Sequence, residues 1–65
     1  MPHVHITWVE GRTAEQKRKV AERITQVLKE EANAKPEAVH VAFVDLPATN
    51  FANAGKLLVD RGPSS

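Results

Sequence analysis

Proline at position 2 is the residue of this 65-residue sequence with the most pointed chemistry. It follows Met1 directly and is small enough for the methionine to be trimmed in the cell, which would leave a secondary amine at the chain terminus. An ordinary terminal amine has a pKa near roughly 8, and burial beside cations disfavours its charged form. A neutral base would then be present near neutral pH, with its lone pair aimed by the ring. The chemistry requires that Met1 be gone, since an attached methionine turns the nitrogen into an amide without basicity. The three histidines, His3, His5 and His40, form a second group. His3 and His5 are two apart and share a face of an extended segment, and three imidazoles can hold zinc if they converge. No thiol or carboxylate joins them and no dedicated loop collects them, so the favoured reading is polar lining of a pocket or interface, with no metal site.

Residues 3–9 alternate, with Val4, Ile6 and Trp8 on one face and His3, His5, Thr7 and Val9 on the other, which predicts a strand. Gly11 breaks it. Thr13-Ala14-Glu15-Gln16 then reads as a capping box, in which Thr13 and Gln16 satisfy each other's unpaired backbone N–H groups. In the predicted helix, Val20, Ala21, Ile24, Val27, Leu28 and Ala32 recur at three- and four-residue steps. Lys17, Arg18, Lys19, Glu22, Arg23 and Glu30 are assigned to the opposite, solvated side. Asn33 can take the left-handed conformation that closes a helix, and Pro36 forbids continuation. Alternation returns over residues 38–45, with Val39, Val41 and Phe43 against Ala38, His40, Ala42 and Val44, as a second strand.

Two strands joined by a helix of this length make a βαβ unit with parallel strands and a right-handed crossover. The helix covers one sheet face, on which Trp8 reads as core packing. The other face carries His3, His5, Thr7, Val9, His40, Ala42 and Val44, a mixture suited to a subunit interface with a site in it. Beyond Pro47, the stretch ATNFANAG suits a tight turn or hairpin. Leu57, Leu58 and Val59 have nothing to cover in a two-stranded monomer and are expected to dock on a neighbour. Residues 62–65 read as a frayed tail.

Nine basic residues stand against eight acidic ones, spread along the chain without a stripe of one sign. Neither nucleic acid nor a membrane surface is an expected partner. The opening MPHVHITWVEGR lacks the charged leader and apolar run of a signal peptide, and no segment is long enough to span a bilayer, so a cytoplasmic location is expected. The chain has no cysteine, which removes disulfides and fits a reducing compartment. Nothing divides residues 1–65, read as a single domain. A chain this short buries a poor fraction of its surface and commonly needs a staple or a partner, so self-association is expected.

Pro2-His3-Val4-His5-Ile6, then Glu10-Gly11-Arg12-Thr13 and Glu15-Gln16-Lys17, resemble the opening of the 4-oxalocrotonate tautomerase family. That opening is an amino-terminal proline, a strand, a Glu-Gly-Arg turn, and a helix starting with an acidic residue and Gln-Lys. The likeness continues through Pro36, the strand of residues 39–44, Phe51 and Gly55. It implies an α/β fold, a single βαβ unit with a C-terminal hairpin, assembling as dimers into a hexamer (a trimer of dimers) with sites between subunits. It implies a tautomerase that needs no cofactor and acts on a small enol or 2-oxo acid by keto–enol tautomerisation or double-bond migration.

Carried over by residue, Pro2 would be the general base and acid, Arg12 would hold a substrate carboxylate, and Phe51 would wall the pocket. Guanidinium suits Arg12's role because its planar fork of donors matches a carboxylate, and its charge disfavours a protonated Pro2. His40 stands where well-studied members have an arginine that polarises the keto oxygen. It can donate one hydrogen bond there but cannot form the fork. A smaller acid resembling phenylenolpyruvate is therefore preferred over 2-hydroxymuconate. Near the C-terminus Gly62 falls about where the family has another arginine, with Arg61 one step earlier. The rival readings are a related proline-dependent hydratase/dehalogenase or decarboxylase, and an oligomeric homologue without activity.

Overall fold

The computed structural model describes residues 1–61, so the expected frayed tail at 62–65 lies outside the described residues. Strand β1, His3–Val9, pairs in parallel with β2, His40–Leu46, and the helix α1, Ala14–Ala32, connects them. The register sets His3 opposite His40, His5 opposite Ala42 and Thr7 opposite Val44. Along β1 exposed and half-buried residues alternate from His3 to Trp8, as a one-sided sheet requires. Val4, Ile6, Trp8, Val41 and Phe43 are half-buried, while His3, His5, Thr7, His40, Ala42 and Val44 are exposed.

The helix boundaries have local causes. At its start Thr13 Oγ1 accepts from the Gln16 N–H at 3.1 Å, and Gln16 Oε1 accepts from the Thr13 N–H at 2.8 Å, a reciprocal pair that satisfies two otherwise orphaned donors. At its end Asn33 takes the left-handed conformation (φ 56°), and the Ala34 N–H donates to the Leu28 carbonyl at 3.1 Å. Lys17 departs from expectation: it is not on the solvated side but half-buried, its ammonium 2.5 Å from the Asp45 carboxylate. Val27 departs the other way, being 54% exposed. It borders an open apolar cavity of about 240 Å³ with Val4, Ile24 and Leu28.

The second strand starts two residues later than the alternation suggested. Pro36–Ala38 instead forms a 3-10 turn, with the Ala38 N–H donating to Lys35 at 2.8 Å and the Val39 N–H to Pro36 at 3.2 Å. Proline's fixed φ favours such a first turn and gives up no needed donor there.

A second, separate sheet is the expected hairpin: β3, Ala52–Asn53, runs antiparallel to β4, Lys56–Leu57. Ala54 (φ 55°) and Gly55 (φ 79°) between them both have positive φ, the signature of a type I′ turn. Leu57 is 38% and Val59 51% exposed, while Leu58 is half-buried.

Among the described residues none is buried. The radius of gyration is 14.6 Å, where a compact chain of this length would have about 11 Å. The single chain is a flat unit with an apolar interior on only one side of its sheet.

Candidate active site

Pro2 is half-buried at the head of β1, and its carbonyl accepts the His40 backbone N–H at 3.0 Å. The ladder therefore brings the amino end of β1 and the first residue of β2 together. The His40 ring stacks on His3, with centroids 5.0 Å apart and planes inclined by 13°. Pro2 here follows Met1, so its nitrogen is an amide. Met1 is 80% exposed, and its removal would cost the fold almost no packing.

Arg12 sits at the opposite end of β1. Glu10 closes the sheet by donating its N–H to Leu46 at 2.8 Å, and Gly11 reverses the chain at φ +132°, a conformation closed to ordinary side chains. This gives the glycine of the Glu-Gly-Arg turn a physical reason. Arg12 Nη1 donates to the Val9 carbonyl at 2.9 Å, and its guanidinium carbon lies 4.9 Å from the Trp8 ring centroid. The six residue steps from His3 to Val9 at about 3.3 Å each put roughly 20 Å between this guanidinium and the Pro2 end. Within one chain, Arg12 and Pro2 cannot touch the same small molecule.

Phe51 is half-buried between the 3-10 turn Ala48–Asn50 and β3, and its carbonyl accepts the Leu58 N–H at 2.9 Å. The fold thus gathers Pro2 and His40 but leaves Arg12 at the far end of the sheet and Phe51 in the hairpin. Arg61 is engaged within that hairpin, its Nη2 donating to the Asn53 carbonyl at 2.7 Å and to Asn53 Oδ1 at 3.1 Å. His3 and His40 stack while His5 faces Ala42, and among the described residues no three His, Cys, Asp or Glu side chains converge as metal ligands.

Near Arg12 stands Asp45, a residue that sequence did not single out. Asp45 accepts from the Trp8 indole N–H at 2.6 Å and pairs with Lys17. The Lys17 ammonium first, and the Trp8 N–H second, hold its carboxyl below the ordinary value of 3.8. A signal existed: Asp45 shares parity with Val41 and Phe43, which sets it on the helix side of the sheet within reach of Lys17. A cavity of about 420 Å³ opens beside this cluster, lined by Trp8, Arg12, Gln16, Lys19, Val20 and Arg23.

The family described as "Tautomerase enzyme" matches residues 2–61, a span that opens on Pro2. The chain belongs to this tautomerase family, and it is an enzyme of the isomerase class. It is 40% identical over 60 residues to a 2-hydroxymuconate tautomerase of Bacillus subtilis, covering 92% of this chain and 97% of that one. It is 42% identical over 57 residues to a probable tautomerase of Lactococcus lactis, covering 88% and 93%. Among solved structures, a 4-oxalocrotonate tautomerase isozyme from Methylibium petroleiphilum superposes with a TM-score of 0.89 at 39% identity, over 95% of this chain and all of that one. The expected family, its βαβ fold with a C-terminal hairpin and its tautomerase activity are thus established, and the hydratase and decarboxylase alternatives are not favoured. No helix among the described residues is long and apolar enough to cross a membrane.

Proposed function

We propose that Pro2, freed of Met1, is the general base and acid that moves a proton between atoms of a 2-oxo or enol acid. The observation that carries this reading is the hydrogen bond from the His40 N–H to the Pro2 carbonyl, 3.0 Å. It places the prospective amine and the His40 residue at one end of the sheet. Pro2 would take a proton from the enol hydroxyl or a carbon and return it to another carbon. His40 would donate a hydrogen bond to the keto or enolate oxygen where negative charge develops. Arg12 of a neighbouring subunit would bind the carboxylate, since about 20 Å of strand separates the two ends within one chain. Phe51 would wall the site and help exclude water. The reaction calls for no cofactor.

The proposed assembly is a homo-oligomer of single-domain subunits, dimers joined into a hexamer, in the cytoplasm. Its support is the absence of a buried residue among those described, with Val44, Leu57 and Val59 at 42%, 38% and 51% exposure. A small enol acid such as phenylenolpyruvate is the proposed substrate class. The comparison compound is 2-hydroxymuconate, for which the Bacillus subtilis relative is named. A Pro2→Ala variant should lose roughly a hundredfold or more in rate with either acid, the range a positioned base supplies. Equal rates in variant and parent would remove Pro2 from the mechanism.

A further inference from the structure

The Arg12 guanidinium rests on an aromatic plane that the fold has fixed in advance. Its carbon lies 4.9 Å from the Trp8 ring centroid. The indole is tied by its Nε1–H to Asp45 at 2.6 Å, and Asp45 is tied in turn to Lys17 on α1. Trp8 also stacks on Phe43, with centroids 5.3 Å apart and planes inclined by 23°. Helix and both strands thereby meet around one ring.

An arginine on an exposed turn samples many rotamers, and a ligand that needs one of them must bear the ordering cost. Stacking on an immobile indole removes that freedom beforehand. The contact leaves the guanidinium's binding capacity intact: of its five N–H donors, one goes to the Val9 carbonyl. A fork remains for a carboxylate.

We propose that Trp8 is a positioning residue for Arg12, its locked indole plane holding the guanidinium ready for the substrate carboxylate. This rests on the reading of Arg12 as the carboxylate binder. In this role Trp8 acts through Arg12. Because the carboxylate stays unchanged through the proton transfer, its contact with Arg12 contributes equally to ground and transition states. Loss of positioning should therefore raise KM and leave kcat alone.

The test uses the full chain lacking Met1, with phenylenolpyruvate as substrate, in the variants Trp8→Leu, Trp8→Phe, Arg12→Ala and Trp8→Leu with Arg12→Ala. Trp8→Leu is expected to raise KM about two- to fivefold, the worth of an exposed cation–π contact, at unchanged kcat. Trp8→Phe, which keeps an aromatic plane, should recover most of that loss. In the Arg12→Ala background Trp8→Leu should add nothing. If Arg12→Ala leaves KM unaltered, the reading of Arg12 fails. If Arg12→Ala raises KM but Trp8→Leu raises it equally in both backgrounds, or lowers kcat instead, only the role of Trp8 is overturned. Fluorescence keeps the question open to test if Trp8→Leu does not fold, because the chain has one tryptophan. Removing Arg12 should shift the emission of Trp8 in the unliganded protein, and identical spectra would overturn the proposal.

Discussion

Pro2 and Arg12 lie at opposite ends of β1, and under the proposed function this separation requires a site shared by neighbouring subunits. Arg12 is anchored to the Val9 carbonyl at 2.9 Å, whereas Pro2 is tied to His40 at the other end of the ladder. At about 3.3 Å per strand residue they are roughly 20 Å apart, several times the reach of a small enol acid. Pro2→Ala and Arg12→Ala subunits, each slow alone at substrate concentrations well below KM, should therefore complement when unfolded together in equal amounts and refolded. A site that takes Pro2 from one subunit and Arg12 from another is intact when both donors carry the right residue, which random mixing gives in about one quarter of sites. The mixture should recover about a quarter of the parental kcat/KM per site, with native mass spectrometry confirming mixed oligomers. Were both residues drawn from one subunit, every site would lack one of them. Mixed oligomers no more active than the two variants measured separately would refute the shared site.

Other expectations follow from single contacts. Replacing His40 by arginine supplies a second N–H donor for the developing oxyanion and should raise kcat with 2-hydroxymuconate by about tenfold; an unchanged kcat would show that position 40 does not face the oxygen. Thr13→Ala removes the reciprocal cap of α1 and should cost about 1 kcal/mol, read as a lower Tm at fixed protein concentration. Asp45 titrates lower in the folded chain than its ordinary 3.8. Its contribution is thus complete above that value and is lost as pH falls through the lower folded pKa. Asp45→Asn should be less stable than the parent at neutral pH, and the gap in denaturant midpoint should close only below pH 3.8. A gap that stays constant into acid would disconnect Asp45 from the Lys17 pair.

The elements were legible where local chemistry decides them. Alternation set β1 at His3–Val9, and Thr13, Gln16 and Asn33 marked both ends of α1 as the structure has them. The start of β2 slipped because Ala38 and Val39 continue the strand's alternation, while their N–H bonds to Lys35 and Pro36 tie them to the 3-10 turn. Face assignments followed from parity and proved sound for the sheet, but a helix edge position such as Lys17 is decided by what lies beneath it. There it meets Asp45, 28 residues away. The chain order put Pro2 and Arg12 within ten positions of each other, and the extended course of β1 sets them at opposite ends of the sheet. The stacking of Arg12 on Trp8 was equally hidden, since periodicity gives a residue's side of an element and not its partner.

The central claim is that the free amine of Pro2 carries the proton. It is tested most directly by measuring intact mass and turnover of phenylenolpyruvate on the same protein preparations, with Met1 removed to different extents. Activity should rise in proportion to the fraction lacking Met1 and vanish in the fraction that keeps it. Full turnover by protein in which Met1 is still attached to every chain would contradict the account.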